Sequence, residues 1–173
     1  MTHVERAPAK INLSLRVLSR REDGFHEIET LMVVLCGVED EISFALNEGH
    51  GDVKLSCDDP ALPVGEDNLV LRALRVFSSR TGKEFCGDIA IKKRIPSGAG
   101  LGGGSSDAAA TLMALNTLAR TDLSHERLAK WGAELGSDVP FFFETPAAIC
   151  RGRGDQVEAL ESPPRLIVLL ITP

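Results

Sequence analysis

The sequence has no long run of charge of either sign. Its 19 basic and 25 acidic residues are interspersed and leave a net charge of −6, which disfavours a nucleic-acid or membrane-surface role. A phosphate-bearing ligand would therefore have to be held by local features, because an acidic chain offers it no general attractive field. No C-x-x-C pair occurs. Cys36, Cys57, Cys86 and Cys150 are spread evenly and the four histidines are dispersed, so neither spacing suggests a zinc site. No signal-type apolar segment stands at the start, and with the scattered cysteines this implies a reducing cytoplasm. The longest strongly apolar stretch, Leu166 to Ile171, is far too short to cross a bilayer. Internal repeats and low-complexity tracts are also missing.

What remains is a chain of 173 residues, 43% apolar, which fits one globular domain able to bury most of its hydrophobic surface. From Ala9 to Leu18 apolar and polar residues alternate. Ile11, Leu13, Leu15 and Val17 share one face and Lys10, Asn12, Ser14 and Arg16 the other, so a half-buried strand is expected whose polar face lets Lys10 and Asn12 reach one ligand. A polar turn from Arg20 to Gly24 leads to an apolar run from Ile28 to Val34, and Glu41 to Leu46 alternates again. Asn68 to Arg80 carries Leu69, Ala73, Val76 and Phe77 at helical spacing, with Asp67 as N-cap and Gly82 as stop. A strand from Asp88 to Ile95 runs into a glycine cluster, and Ser106 to Ala119 reads as a helix. A third helix follows, with Leu123 as hydrophobic staple, Ser124 as N-cap and Gly136 as stop. Phe141 to Phe143, Ala147 to Cys150, Gln156 to Leu160 and Leu166 to Ile171 read as short strands between turns, one of them the tight turn Arg151–Asp155. Strands and helices out of strict alternation predict an α+β fold rather than a doubly wound one.

The most informative segment is Pro96-Ser97-Gly98-Ala99-Gly100-Leu101-Gly102-Gly103-Gly104-Ser105-Ser106-Asp107, with five glycines in the seven positions 98–104. Each glycine costs about 0.5–1 kcal/mol relative to alanine in regular structure. Five together call for a use. Glycine lets backbone N–H groups approach an anion without a side chain in the way, and the helix that follows adds its positive N-terminal end, so the segment reads as a polyphosphate cradle. A flexible linker has similar composition, but a linker would not abut a strand on one side and an amphipathic helix on the other. Gly98, Gly100 and Gly103 satisfy G-x-G-x-x-G, a weak pattern that nearly any glycine-rich loop would match. The acidic residue such a dinucleotide site needs at the end of the next strand is missing, since Asp122 precedes another helix. A Walker A loop needs lysine after its last glycine, where this chain has Ser105.

Pro96, Gly100-Leu101-Gly102 and Gly103-Gly104-Ser105-Ser106 instead resemble the second motif of the GHMP kinases, and the triple glycine after Leu101 looks most like the 4-diphosphocytidyl-2-C-methyl-D-erythritol kinases of that superfamily. Ala7–Leu13 together with Asp23–Leu31 resembles their first motif, and Leu135–Phe141 their aspartate loop. Glu66–Leu69 and Lys92–Pro96 fit as well, so the resemblance covers almost the whole chain. It implies the GHMP-kinase amino-terminal domain (ribosomal protein S5 domain 2-like), a mixed sheet with packed helices. The implied activity is ATP-dependent phosphorylation of the 2-hydroxyl of 4-diphosphocytidyl-2-C-methyl-D-erythritol, in non-mevalonate isoprenoid precursor synthesis. The cofactors would be ATP and Mg²⁺, with no resident metal, and the partner a small molecule carrying a cytidine diphosphate group.

The resemblance also implies roles for single residues. Pro96 to Ser106 would wrap the ATP phosphates, with Ser105, Ser106 or Asp107 near the phosphates and magnesium, and Asn68 and Lys93 would lie near the adenosine. Lys10 and Asp138 would be the catalytic pair. Asp138 can accept the hydroxyl proton or orient the hydroxyl, and Lys10 can keep Asp138 ionised and stabilise the alkoxide or the transferred group. Asn12, Phe25 and His26 would bind the acceptor. An aromatic followed by histidine suits stacking on a nucleobase and hydrogen bonding to its edge, although relatives commonly show tyrosine where this chain has Phe25, and a core role for Phe25 is the alternative. Family members are typically well over half as long again. Because this chain stops after what reads as a buried strand, a shortened chain without the carboxy-terminal domain is expected, with an acceptor cleft open to water. Three readings follow: the kinase, an ATP-binding fragment without turnover, and a dinucleotide-binding oxidoreductase. Kinases for homoserine, galactose or mevalonate share the motifs but have acceptors that lack cytosine.

Overall fold

In the computed structural model, which describes residues 2–144, 146–161 and 166–171, two apolar runs that the sequence separates lie on one strand. That strand, β2 (His26–Glu48), organises the sheet. β1 (His3–Arg20) pairs antiparallel along its length. On its other edge, residues 41–48 pair with β4 (Phe85–Lys92) and residues 28–33 with β5 (Ala147–Gly152). β3 (Val53–Cys57) adds to β4 in parallel, and β6 (Gln156–Ala159) closes the far side as a hairpin with β5. The order is β3-β4-β2-β5-β6, with β1 on β2. One parallel pair in an otherwise antiparallel sheet is the expected mixed α+β arrangement, and the doubly wound parallel sheet of the dinucleotide reading is absent among the described residues.

The helices cover the part of the sheet around Ile42, Phe44 and Leu46. α1 (Leu69–Thr81) contributes Val70, Ala73 and Phe77, and α3 (His125–Gly132) contributes Leu128 and Trp131 to the same core. Between them lies α2 (Gly103–Leu118), which packs on β1, α1 and α3. Ser106 to Leu112, Ala114 and Leu115 are all buried in it, so its central turns are enclosed on every side, with Ser106, Asp107 and Thr111 buried among the apolar residues. Its alanines keep it thin enough to approach the sheet closely. Phe77 meets Trp131 edge-on at a centroid distance of 6.0 Å, and Phe85 in a tilted arrangement at 6.1 Å.

Several sequence expectations shift. α1 is capped by Asn68, not Asp67: its side-chain oxygen accepts the Val70 N–H at 2.9 Å. α2 starts at Gly103, three residues earlier than its alanine-rich pattern indicates, so the end of the glycine run is helical. Phe141–Glu144 is a short helix, α4, rather than a strand. Pro140 precedes it, its carbonyl accepts the Phe143 N–H, and three adjacent phenylalanines satisfy either periodicity. Residues 166–171 form no strand, and their side chains are exposed rather than buried. β1 is longer than expected, and its buried positions are Ala7, Ala9 and Lys10, whereas Leu13, Leu15, Val17 and Leu18 are 39–62% exposed. Alternation reveals an apolar face, not whether anything covers it, and beyond Asn12 the β1–β2 hairpin runs past the helical layer.

Phe77→Ala empties the centre of the shared core and is expected to lower stability by about 3–5 kcal/mol, read as a fall in the denaturant midpoint with unchanged slope.

Candidate functional site

The glycine loop leaves the sheet after β4 and returns at the N-terminus of α2. Gly102 is the N-cap of α2 at φ 72°, with no side-chain capping bond, and the first helical amide to find a partner is Ser106 N–H on the Gly102 carbonyl at 2.9 Å. The N–H groups of Gly103, Gly104 and Ser105 are thereby available at a positive helix end, the requirement of an anion site. They face a cavity of about 400 Å³ whose wall contains every residue from Pro96 to Ser105, together with Asp107, Asn68 and Lys93. Of the residues assigned to the cradle, only Ser106 is outside this wall. It is buried beneath it, and Ser106 Oγ and Asp107 Oδ1 are the buried side-chain oxygens among the described residues that make no hydrogen bond.

Lys10 lies against the same loop. Its backbone N–H donates to the Leu101 carbonyl at 2.9 Å, and a β-carbon at Gly102 would lie 2.9 Å from Lys10 Cγ and 3.0 Å from Cε. Glycine is needed at 102 twice, for the left-handed backbone and for the room the lysine stem takes. The Lys10 ammonium, almost fully buried, is 3.1 Å from Asp138 Oδ2 and donates to Asn12 Oδ1 at 2.7 Å. Asn12 is fixed in turn, donating to Thr30 Oγ1 at 2.7 Å, while the Thr30 hydroxyl donates to the Ser14 carbonyl at 2.6 Å. One ammonium proton is thus directed to Asn12, and the charge pair with Asp138 holds the head group beside the turn after α3. Asp138 lies in the turn between α3 and α4, beside the fully buried Val139, and its carboxylate is partly exposed at 27%. The structure therefore brings Lys10, Asn12 and Asp138 together at the back of the glycine loop.

Lys93 is held differently from what proximity to adenosine alone would lead one to expect. It lines the cavity, yet its ammonium is bound by the fully buried Asp40 and by Asp107, the latter at 2.9 Å. Burial would lower the Lys93 pKa, but the two carboxylates more than offset this and raise it. Burial pushes Asp107 up to about 7 against the pull of Lys93, and Asp40 adds to the rise. Asn68 also lines the cavity while its side chain caps α1 and donates to the Pro63 carbonyl at 2.7 Å.

Phe25 is half exposed rather than in the core, and the Arg153 guanidinium lies over its ring at 5.1 Å. Its N–H donates to Asp23 Oδ1 at 3.1 Å, and exposed His26 opens β2. Arg153 belongs to the β5–β6 turn, as the glycine spacing predicts, and Gly154 of that turn lies next to Asp138. Sequence reasoning missed Asp40, Thr30 and Arg153. Asp40 sits in the acidic run Glu39–Glu41, which reads as a solvated edge, and Thr30 is hidden in an apolar run. Among the described residues no group of three or more His, Cys, Asp or Glu is placed to hold a metal ion, and no helix is long and apolar enough to cross a membrane.

A glycine-loop helix terminus beside a lysine–aspartate pair on a mixed sheet offers a phosphate-bearing ligand both backbone amides and a charged pair, and comparison with known proteins gives the fold its class. Residues 68–145 match the GHMP kinases N terminal domain, and the fold is that of this domain. Its relatives carry one more specific name. A 4-diphosphocytidyl-2-C-methyl-D-erythritol kinase from Protochlamydia amoebophila (strain UWE25) is 46% identical over 155 residues, 90% of this chain and 52% of that protein. A chloroplastic/chromoplastic enzyme of the same name from Solanum lycopersicum is 41% identical over 91% of this chain and 39% of its own length. A crystal structure of a 4-(cytidine 5'-diphospho)-2C-methyl-D-erythritol kinase superposes with a TM-score of 0.76 at 37% identity, over 93% of this chain and 56% of that one. Homoserine kinase from Cytophaga hutchinsonii shares the fold at a TM-score of 0.67 and 22% identity. The chain spans about half the length of the curated relatives it matches.

Gly102→Ala is expected to cost about 1–2 kcal/mol for the left-handed backbone and to push the Lys10 stem away from the loop. A lowered melting temperature and loss of the Lys10–Asp138 contact in a structure of the variant would be the measured signs.

Proposed function

We propose that the chain binds MgATP in the glycine-loop cavity and serves transfer of its terminal phosphate to the 2-hydroxyl of 4-diphosphocytidyl-2-C-methyl-D-erythritol, in the cytoplasm. The observation that carries this reading is the contact between Gly102 and Lys10. The loop that offers free amides to a polyphosphate is the loop against which the lysine of the Lys10–Asp138 pair is packed. Phosphoryl transfer needs in-line placement, neutralisation of charge spreading over the transferred group, and a residue to take or direct the hydroxyl proton.

In this reading the N–H groups of Gly103, Gly104 and Ser105 hold phosphate oxygens, with Pro96 to Leu101 wrapping them and Asn68 and Lys93 forming the wall on the adenosine side. Asp138 receives the acceptor hydroxyl on the carboxylate oxygen that Lys10 leaves open, and accepts its proton or orients it. With its ammonium anchored on Asn12, Lys10 turns its other N–H groups toward developing negative charge, a preorganised donor that need not reorient during the reaction. Phe25, with Arg153 over its ring, and His26 form the surface for the cytosine, and Asn12 borders the acceptor. Ser106 Oγ and Asp107 Oδ1, buried oxygens without partners, fit the outer ligands of a divalent ion arriving with the nucleotide. When bound, magnesium neutralises charge on the phosphates.

A second reading, ATP binding without turnover, is favoured by the exposure of Asp138 and Phe25, since water around a catalytic pair weakens its electrostatics. Purified chain given both substrates separates the two: ADP release supports the kinase, and thermal protection by ATP without ADP release supports the second. Protection by NAD instead of ATP would overturn both, and failure of CMP to compete with the acceptor would point to another GHMP acceptor. Asp138→Ala and Lys10→Met, the latter keeping a stem to pack on the loop, are expected to leave ATP affinity nearly unchanged while turnover falls by at least about 10²–10⁴; undiminished turnover in either variant would remove the pair from the chemistry.

A further inference from the structure

The phosphate loop has two necks, the segment Lys93–Ile95 that leads into it and the first turns of α2 that lead out, and one buried side chain holds both. Asp40 is on β2, opposite Ala7 of β1, in the stretch of β2 between the parts that pair with β4 and β5. It is completely buried. Its Oδ1 accepts the N–H of Arg94 at 2.6 Å and of Ile95 at 2.9 Å, which fixes the entering neck to the sheet. Its Oδ2 accepts from the Lys93 ammonium, and the same ammonium donates to Asp107 Oδ2 in α2 at 2.9 Å, which ties the entering neck to the leaving one. The chain between them, Pro96 to Ser106, is thus a loop closed at its base by a carboxylate–ammonium–carboxylate clasp. The three charged side chains are 8% exposed or less. The clasp also reaches the mouth of the cavity, because a β-carbon on Gly103, whose N–H is among those offered to the ligand, would lie 3.3 Å from Lys93 Nζ.

Burying two carboxylates with one ammonium is a costly way to close a neck, since apolar side chains of similar volume often do the same at equal or better stability. What apolar groups cannot do is accept two specified backbone N–H groups and anchor a cation under the first residue of the helix. We infer that Asp40 is the positioning residue of the phosphate loop. Through the backbone of Arg94 and Ile95 and through Lys93, it sets the spacing of the loop's two necks and hence the aim of the amides that grip a nucleoside triphosphate. It touches neither the nucleotide nor the acceptor. The inference rests on the reading of the cavity as the ATP site and predicts a defect confined to that side of the molecule.

Asp40→Asn tests it, because asparagine keeps an oxygen for the two backbone N–H groups but turns an amide toward Lys93 and opens the clasp. Dissociation constants for MgATP and for CMP, the latter probing the acceptor side, are measured on the same preparations of full chain. ATP binding is expected to weaken at least about tenfold, a step of 1.4 kcal/mol, with CMP binding within twofold of the unaltered chain. Equal weakening of both ligands would mean a general structural role, no weakening of ATP would mean a clasp without consequence, and either overturns the inference. If Asp40→Asn does not fold, Asp40→Ser carries the same test, since the shorter side chain loses the bond to Lys93 and with it the tie to α2, and alters no residue that lines the cavity. Unaltered chain that binds CMP but no ATP would instead sink the assignment of the cavity, and the inference with it.

Discussion

The packing of Lys10 against the glycine loop is the constraint from which the rest of the site follows. The strand amide of Lys10 holds the Leu101 carbonyl, the lysine stem fills the space a side chain at 102 would occupy, and the ammonium at its end meets Asp138 from the far side of α3. Each contact uses a different part of one residue. A backbone bond fixes where the loop lies, van der Waals contact fixes which residue can stand there, and a charge pair fixes the turn after α3. Three segments far apart in sequence are thereby referred to one point on β1, and an error in any of them would be felt by the others.

The surrounding architecture supplies rigidity where this point needs it. β2 is paired on both edges over residues 28–33 and 41–44, and α2, enclosed around its central turns, presents its open N-terminus to the cavity from a fixed axis. A helix end can only serve as an anion site if the helix itself does not move, and the alanines of α2 give that by close packing rather than by bulk. The unsatisfied oxygens at Ser106 and Asp107 lie within this rigid part, where an absent hydrogen bond is costly.

Much of this was legible in the chain itself, unevenly. The glycine run announced the loop because such a density has few other uses, and the alternation around Lys10 announced a strand with Lys10 and Asn12 on one side. The pairing of Lys10 with Asp138, 128 positions away in sequence, came from motif resemblance, since nothing local to either residue points to the other. Asp40 could not be read: an acid between Glu39 and Glu41 on an edge looks solvated, and only the fold reveals the backbone amides that enclose it. Phe141–Phe143 and residues 166–171 failed for a related reason, because short apolar runs carry no periodicity that separates helix from strand and no information on what will cover them.

The β1–β2 hairpin beyond Asn12 carries Phe25 and His26 at its tip and leaves Leu13, Leu15, Val17 and Leu18 without cover. With little buried apolar area behind them, its backbone bonds open at lower cost than those around Ala7 to Lys10. The domain is therefore graded in stiffness along a single strand: firm where a triphosphate would be aimed, and pliant where a differently shaped partner molecule would have to be accommodated. Amide protons should report this as a gradient of exchange rates that steepens along β1 from Lys10 toward Arg20.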